Sequence, residues 1–282
     1  MATYLARILA AHRARAAEDR RRPEQLLEAA RAAPRPRAFT AAVAGGTHLA
    51  VVAEVKRRSP SKGDLAPGLV PGRLARAFAR GGACCLSVLT DGAFFGGSPE
   101  DLAGARAATD LPVLRKDFTV AESDVCDARL MGADAVLLIV AALDDRELRE
   151  LHALAADLGL AALVEAHDEG EAERGLAAGA SLIGVNQRDL ESFEVDPARA
   201  ERVAGVLPPG VVRVAESGVQ GPQDAARLAE AGYDAVLVGE ALVLAADPEG
   251  AVRSLRVPRR RPARRDATAR VAGGTGWSQP CS

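Results

Sequence analysis

Short runs of consecutive apolar residues recur along the chain, separated by longer segments in which apolar residues recur at helical spacing. Within each run the apolar residues are continuous rather than alternating with polar ones, which is typical of strands buried on both faces. Several of the longer segments close on a glycine, the residue favoured just after a helix ends. The apolar runs begin at Leu49, Cys84, Leu111, Asp134, Leu160, Ser181, Val211 and Asp234.

The alternation of strand and helix favours parallel pairing of the strands. Eight such units in succession predict an α/β fold, a single closed (β/α)8 TIM barrel, more readily than an open doubly wound sheet. The G-x-G-x-x-G motif that would favour the open sheet does not follow the first run. We predict one barrel domain over residues 1–256, which includes an N-terminal helical extension, residues 1–40, of one or two helices. The second of these helices is expected to begin at Pro23.

The composition is that of a globular protein, but its charges are unevenly distributed. Hydrophobic residues make up 48% and charged residues 26% of the 282 positions, and no apolar run reaches the roughly 18 residues of a membrane span. Residues 1–40 and 257–282 each carry a net charge of +5, which leaves −12 on residues 41–256. An acidic body argues against nucleic-acid binding. Residues 257–282, rich in arginine and proline, are expected to form a disordered basic tail.

Lysine and asparagine are scarce, and their positions are therefore informative. Of the 36 basic residues only Lys56, Lys62 and Lys116 are lysines, and Asn186 is the sole asparagine. Lysine can be tuned by its surroundings to exchange a proton, whereas arginine stays charged. Lys56, Lys116 and Asn186 follow predicted strands, at the end where a barrel places its active site. Lys62 lies in a loop beyond Pro60 and carries less weight.

Carboxylates fall at the same strand ends. Glu54 lies two residues before Lys56, so both side chains are expected to point into the barrel mouth, and Glu165 and Glu216 end two later strands. Charged groups there are costly unless they are paired or bind a ligand. Buried ion pairs that only stabilise the barrel remain the alternative for each residue. Asp91 and Asp117 are interpreted as supporting hydrogen-bonding groups.

Small residues follow the last two strands, at Ser217-Gly218 and Gly239-Glu240. Backbone N–H groups in these loops commonly hold a phosphate in barrels, although glycines also serve there as plain turn residues. The four histidines are scattered, with only His167 near a strand end, and neither they nor the four cysteines show metal-ligand spacing. Unpaired cysteines favour a reducing, cytoplasmic location. The combination predicts proton-transfer chemistry on a phosphorylated, anionic small molecule.

Residues 51–64, VVAEVKRRSPSKGD, resemble the E-x-K-x-x-S-P-S signature of the indole-3-glycerol phosphate synthase family. The resemblance extends in order through LSVLTDGAFFGGSPEDL (86–102), LPVLRKDFTV (111–120), IGVNQRDL (183–190) and VAESGV (214–219), and covers about residues 40–256. It implies an enzyme of tryptophan biosynthesis, a carboxy-lyase that converts 1-(2-carboxyphenylamino)-1-deoxyribulose 5-phosphate to indole-3-glycerol phosphate with loss of CO2 and water. It further implies that no cofactor is needed. The lack of an apolar span and the acidic body predict neither a membrane nor a nucleic-acid partner, and a monomer is expected.

The resemblance also assigns roles to residues of this chain. Lys116 matches the general acid that protonates the substrate carbonyl, and Glu165 matches a carboxylate that assists the acid-base steps. Lys56 matches a lysine near the substrate carboxylate and the reacting centre that is implicated in the later dehydration. Glu54 and Asn186 match groups that orient the sugar hydroxyls and the lysines, and Glu54 is also a candidate base. How these residues divide the proton transfers stays open.

The remaining matches contact the substrate. Arg188 matches the arginine that binds the substrate carboxylate, and Ser217, counted with the catalytic set, begins the first phosphate loop. The other expected substrate-binding residues are Ser59, Phe95, Phe118, Leu137, Leu190, Glu216, Gly218, Gly239 and Glu240.

Two departures concern substrate contacts. Glu240 stands where other members carry serine, and its charge would oppose a phosphate unless only its N–H faces inward. The N-terminal region lacks an aromatic residue that some members place over the substrate ring. Three alternatives remain open: an isomerase of the same pathway, a non-catalytic phosphate-binding barrel, and a duplicate enzyme of a specialised indole pathway.

Overall fold

The computed structural model describes residues 3–60, 62–189 and 191–259. Leu190 and residues 260–282, which include most of the predicted tail, lie outside the described residues. Eight parallel strands pair in chain order, and the last pairs with the first to close a barrel, as predicted. The strands are β1 (Ala50–Val55), β2 (Cys85–Leu89), β3 (Val113–Lys116), β4 (Ala135–Ile139), β5 (Ala161–Ala166), β6 (Leu182–Asn186), β7 (Val212–Glu216) and β8 (Ala235–Val238).

Helices surround the barrel, and their starts are specified locally. Ser98, Asp144 and Asp168 each accept hydrogen bonds from backbone N–H groups of the helix that follows, as N-cap residues do. After three N-terminal helices, the elements outside the barrel are α4 (Pro71–Gly81), α5 (Gly92–Phe95), α6 (Pro99–Ala107), α7 (Glu122–Leu130), a 3-10 turn (Val140–Ala142), α8 (Asp145–Asp157), α9 (Glu169–Ala177), α10 (Ala198–Ala204), α11 (Pro222–Glu230), α12 (Glu240–Val243) and α13 (Pro248–Leu255). None of the helices described here has the length and apolar character needed to cross a membrane.

Residues 1–40 contain two complete helices, as predicted: α1 (Tyr4–Ala17) and α2 (Pro23–Ala32). A third helix, α3 (Phe39–Ala44), begins at the end of this extension and leads towards the first strand. The second begins at Pro23, as predicted. The third spans six residues, too short for a helical period to be read from the sequence.

His12 docks α1 against the carboxyl ends of the barrel strands. Its side chain is buried, and Nε2 lies 3.0 Å from Asp91 Oδ2. Arg15 approaches the other ring nitrogen, Nδ1, at 2.9 Å. Because a guanidinium only donates hydrogen bonds, Nδ1 accepts, and Nε2 carries the proton given to Asp91. The first helix is therefore held over the face of the barrel where the predicted site lies.

Two further segments complete the barrel. After β1, the two-residue strands Arg58–Ser59 and Gly63–Asp64 form a small antiparallel hairpin. Residues 257–259 run beside the segment before β1, where Leu49 N donates to Val257 O at 2.8 Å and Arg259 pairs with Asp234 at 2.7 Å. The barrel contacts therefore continue three residues past the predicted start of the tail.

Candidate active site

A cavity of about 810 Å³ opens at the carboxyl ends of the strands. Every predicted site residue within the described ranges lines it, although these residues come from loops and strands all around the barrel. They are Glu54, Lys56, Ser59, Phe95, Lys116, Phe118, Leu137, Glu165, Asn186, Arg188, Glu216, Ser217, Gly218, Gly239 and Glu240.

Lys116, the last residue of β3, lies between two carboxylates on the floor of the cavity. Its Nζ is 2.8 Å from Glu165 Oε2 and 2.6 Å from Glu216 Oε2. Burial by itself would lower the pKa of Lys116, but the negative charges of Glu165, Glu216 and Glu54 outweigh it and raise the pKa. Lys116 is therefore firmly cationic and directed at whatever occupies the cavity.

The two carboxylates on Lys116 differ in their surroundings. Burial opposes ionisation of Glu165, but Lys116, His167 and a hydrogen bond from Asn186 lower its pKa. Burial raises the pKa of Glu216, and the charges of Glu165 and Glu54 add to that effect against the attraction of Lys116. Glu216 Oε1 is also buried, and no described residue gives it a hydrogen bond. Pairs of titrating groups pushed apart in this way are typical of acid-base sites.

Glu54 and Lys56 form a second pair at the end of β1. As the period of a strand predicts, both face the cavity, and Lys56 Nζ lies 2.6 Å from Glu54 Oε1. The pair packs against Gly239, where any side chain would collide with the Glu54 carboxylate. A larger residue at position 239 would therefore have to displace the Glu54 carboxylate.

Asn186 connects this acid-base group to Arg188. Its Nδ2 donates to Glu165 Oε1 at 3.0 Å, and its Oδ1 accepts from the backbone N–H of Arg188 at 3.0 Å. Both ends of the amide are thereby fixed, so Asn186 holds Glu165 in place. Arg188 donates to Phe193 O at 2.9 Å and lines the cavity with the rest of its side chain.

An apolar wall faces these polar groups. Phe95 and Phe118 lie 6.2 Å apart, ring centre to ring centre, and Leu137 adjoins them on the cavity surface. Phe193 also lines the cavity and was not predicted from the sequence. A signal for it existed, because the chain has only six phenylalanines and Phe193 follows the strand that ends at Asn186.

The predicted phosphate loops border the opposite end. Ser217 has φ 63° and Gly218 has φ 73°, so the chain turns through two left-handed residues directly after β7. For a serine this conformation costs on the order of 1 kcal/mol or more, and such strain is concentrated at functional sites. The second loop passes from Gly239 into α12 and also lines the cavity.

Lys62 belongs to this site, so the low weight given to it from its loop position was wrong. Its Nζ lies 2.8 Å from Glu240 Oε1, and both residues line the cavity. Lys62 lies in the turn of the small hairpin after β1, and Ser59, Pro60 and Lys62 of this hairpin all line the cavity. The carboxylate of Glu240 is thereby neutralised rather than left facing the phosphate loops.

Asp91 and Asp117 support loops, as interpreted. Asp91 accepts from the N–H groups of Phe94 and Phe95 and so begins α5, which carries one ring of the apolar wall. Asp117 accepts from Thr90 and from Arg115, at 2.5 and 2.9 Å. With His12 these two aspartates place three ligand-type atoms close together, but their contacts are already made to protein donors.

Comparison with known proteins identifies the family of this chain. The family model of indole-3-glycerol phosphate synthase matches residues 5–255. A protein of that name from Micrococcus luteus is 55% identical over 246 residues, which are 85% of this chain and 92% of the relative. Another, from a Nocardioides species, is 58% identical over 205 residues, 73% of this chain and 79% of the relative.

Two further comparisons are with another relative and with a solved structure. A Streptomyces coelicolor protein named indole-3-glycerol phosphate synthase 2 is 53% identical over 231 residues, 82% of this chain and 89% of the relative. Among solved structures, a thiamine phosphate pyrophosphorylase from Pyrococcus furiosus matches 73% of this chain and 93% of its own with a TM-score of 0.55, and at 17% identity this shows the fold alone. The family model spans both the barrel and the N-terminal helices, and the chain belongs to the indole-3-glycerol phosphate synthase family.

Proposed function

We propose that this protein catalyses the carboxy-lyase reaction of its family, the closure of the indole ring with loss of CO2 and water. The substrate would be 1-(2-carboxyphenylamino)-1-deoxyribulose 5-phosphate and the product indole-3-glycerol phosphate, in tryptophan biosynthesis. The observation that carries the proposal is Lys116, a cation held by Glu165 and Glu216 between an apolar wall and two phosphate-type loops.

The cavity suits each part of this substrate. The aromatic ring fits the wall of Phe95, Phe118 and Leu137, and the phosphate fits the loops that begin at Ser217 and Gly239. Arg188 is placed to hold the ring carboxylate, since a guanidinium binds carboxylates with two parallel hydrogen bonds. Bound in this way, the ribulose carbonyl lies over the centre of the barrel, where Lys116 is.

Ring closure requires that an aromatic carbon attack the carbonyl carbon. The carbonyl oxygen then becomes an alkoxide, a stronger base than an amine, and takes a proton from Lys116 even though the pKa of that lysine is raised. The attacking ring carbon is the one that bears the carboxylate, and its new bond to the carbonyl carbon interrupts the aromaticity of the ring. Loss of CO2 returns the electron pair to the ring, and an apolar wall favours this step because it destabilises the charged carboxylate.

Loss of water completes the indole. The hydroxyl formed at the former carbonyl leaves as water when an acid protonates it, and a base removes a proton from the adjacent carbon. Lys56, paired with Glu54, is proposed to supply the acid, and Glu165, ionised by its cationic neighbours, to act as base. Ser59, whose buried Oγ has no hydrogen-bond partner within the described protein, is available to a substrate oxygen.

Formation of product by the purified protein tests the proposal. Indole-3-glycerol phosphate shows indole fluorescence, and the substrate is not converted without catalysis on the same time scale. An increase of indole fluorescence with release of CO2 is therefore expected when the protein is added. A barrel that only binds phosphates, or an isomerase, would leave this substrate unchanged. The same assay with ring-substituted substrates distinguishes a specialised indole pathway, which would be favoured by a higher kcat/KM for a substituted ring.

The Lys62–Glu240 pair predicts a test of the phosphate end. Lys62→Ala leaves the Glu240 charge uncompensated near the phosphate and is expected to raise KM by about 3- to 10-fold with little change in kcat, a size typical of partly exposed charges. The double variant Lys62→Ala/Glu240→Ser should return KM most of the way. Steady-state kinetics at low and high salt measure KM of both variants. An equal rise of KM in Lys62→Ala and in Lys62→Ala/Glu240→Ser would contradict the pairing.

We also propose a cytoplasmic protein that acts on a small molecule, without a cofactor and as a monomer. Supporting this, the body of the chain is acidic, which disfavours nucleic acid. Cys84, Cys85 and Cys126 are free thiols, as expected in a reducing compartment.

A further inference from the structure

His167 lies directly behind Glu165, immediately after β5. Its Nε2 is 3.5 Å from Glu165 Oε1, and its Nδ1 is 3.0 Å from Glu171 Oε2 in the first turn of α9. Glu171 Oε2 also accepts from the backbone N–H of His167 at 2.8 Å. The imidazole is thus held between a carboxylate of the proposed acid-base group and a carboxylate on the outer side of the barrel.

The two carboxylates determine which form of the imidazole fits. A neutral imidazole has one nitrogen with a lone pair, which would face a carboxylate oxygen and be repelled by it, whereas an imidazolium presents an N–H to each. Burial lowers the pKa of His167, and the charge of Arg199 on α10 does the same, but the hydrogen bond to Glu171 and the charge of Glu165 outweigh both, so the pKa is raised. His167 Nε2 is otherwise buried, with no hydrogen-bond partner in the described part of the chain.

Glu165 and Glu216 share Lys116 but differ in what lies behind them. Glu165 Oε1 accepts a hydrogen bond from the side-chain amide of Asn186 and faces His167. Glu216 Oε1 has no hydrogen-bond partner among the described residues. When Lys116 gives its proton to the substrate, both carboxylates lose the charge that compensates them. A buried carboxylate without a counter-charge tends to take up a proton. Within the described ranges, His167 is a second cation beside Glu165, whereas Glu216 has Lys116 alone.

We propose that His167 is a positioning residue: an imidazolium, fixed by Glu171, that keeps Glu165 oriented and ionised while Lys116 is deprotonated. The inference rests on the roles proposed above for Glu165 and Lys116. It predicts that removal of the His167 charge changes the pH dependence of the reaction and not only its rate.

The charge state of His167 can be measured without any activity. In ¹⁵N-labelled protein, the imidazole signal absent from a His167→Gln variant identifies the residue among the four histidines. We expect both nitrogens to carry protons at neutral pH and the midpoint of titration to lie above the ordinary value of about 6.5, because the hydrogen bond to Glu171 and the charge of Glu165 raise the pKa of His167. Glu171→Gln should lower the midpoint. Glu169→Gln, which removes the same charge from a partly exposed residue two positions earlier on α9, should not.

The pH profile of kcat tests the effect on Glu165. Glutamine at 167 can still donate a hydrogen bond but carries no charge, so the acid limb of the profile is expected to move up by about one unit. KM should change less than about twofold, because His167 lies outside the substrate cavity. Glu171→Gln should shift the limb in the same direction, and Glu169→Gln should leave it in place.

Two results would overturn the proposal. One is a neutral His167 below pH 6.5 in the NMR titration, and the other is a fall of kcat in His167→Gln that is equal at every pH. Comparison of thermal unfolding of the variants with that of the parent protein separates these results from loss of the fold. If the parent protein forms no indole product, the proposed function fails, and the NMR titration still decides the charge state of His167.

Discussion

Replacement of Lys116 with arginine is expected to lower kcat by at least about 100-fold, because general acid catalysis contributes roughly 10²- to 10⁴-fold. Arginine keeps the positive charge between Glu165 and Glu216 but does not give up a proton at any pH the protein tolerates. The loss should appear in kcat more than in KM, since the proton moves only when the carbonyl is attacked. Steady-state kinetics with the carboxyphenylamino-ribulose phosphate substrate measure both constants.

Lys62→Arg is the matched control. It makes the same exchange at the rim, where the proposal requires a charge and no proton transfer, so kcat should stay within a few-fold of the parent value. Arginine is a better probe than methionine at position 116, because an apolar residue would leave two buried carboxylates without a counter-charge and destabilise the fold. A Lys116→Arg protein with nearly the parent kcat would show that Lys116 is not the general acid.

Glu165→Gln is expected to reduce kcat by about 100-fold or more, whereas Glu216→Gln should cost clearly less. The amide keeps the shape of either side chain but cannot accept a proton. Glu165 is ionised, since its cationic neighbours hold its pKa low, so the substitution removes a base. Burial and neighbouring carboxylates raise the pKa of Glu216 to about 7, so at neutral pH part of the protein already has a neutral group there.

The contrast between these two variants is informative because they share a partner. Each removes one of the two charges on the same lysine ammonium, at 2.8 and 2.6 Å. The Glu216→Gln variant should approach the parent kcat more closely below pH 7 than above it, since the parent Glu216 gains a proton as the pH falls. Equal losses of kcat in the two variants at every pH would contradict the assignment of Glu165, rather than Glu216, as the base.

Much of the fold was predictable because a parallel barrel strand is buried on both faces and therefore appears as a continuous apolar run. All eight predicted strands are present, and Glu54 and Lys56 face the cavity as the two-residue period requires. The scarcity of lysine also located the centre of the site at Lys116. In this chain, where arginine is the usual cation, the retained lysine coincides with the position at which a proton is proposed to move.

The pairing within the site was not predictable. Lys116 meets Glu165 and Glu216 across 49 and 100 residues of sequence, and only closure of the barrel brings them together. Lys62 was undervalued because its loop forms a hairpin whose strands have only two residues each, and such short strands leave no pattern in the sequence. His12 gave no signal, since its contact with Asp91 spans 79 residues and depends on the docking of a helix outside the barrel.

Glu240 illustrates how a local departure depends on distant structure. From the sequence its charge opposes a phosphate, and in the fold Lys62 neutralises it at 2.8 Å. The other departure concerns the N-terminal region, which lacks the aromatic residue that some members place over the substrate ring. Tyr4 of α1 packs edge-on against Phe94 and Phe193, with ring centres 5.9 and 5.4 Å away. It therefore contacts the loops after β2 and β6 and is not itself among the residues that line the cavity.

The central claim is that this barrel closes the indole ring, and a single progress curve tests it most directly. Purified full-length protein is mixed with 1-(2-carboxyphenylamino)-1-deoxyribulose 5-phosphate, and indole fluorescence and CO2 are followed together, with Lys116→Arg protein as the blank. The account predicts one CO2 for each indole-3-glycerol phosphate in the parent protein and almost none in the blank. Substrate that remains unconverted by folded parent protein, or product formed equally fast by the Lys116→Arg protein, would contradict it.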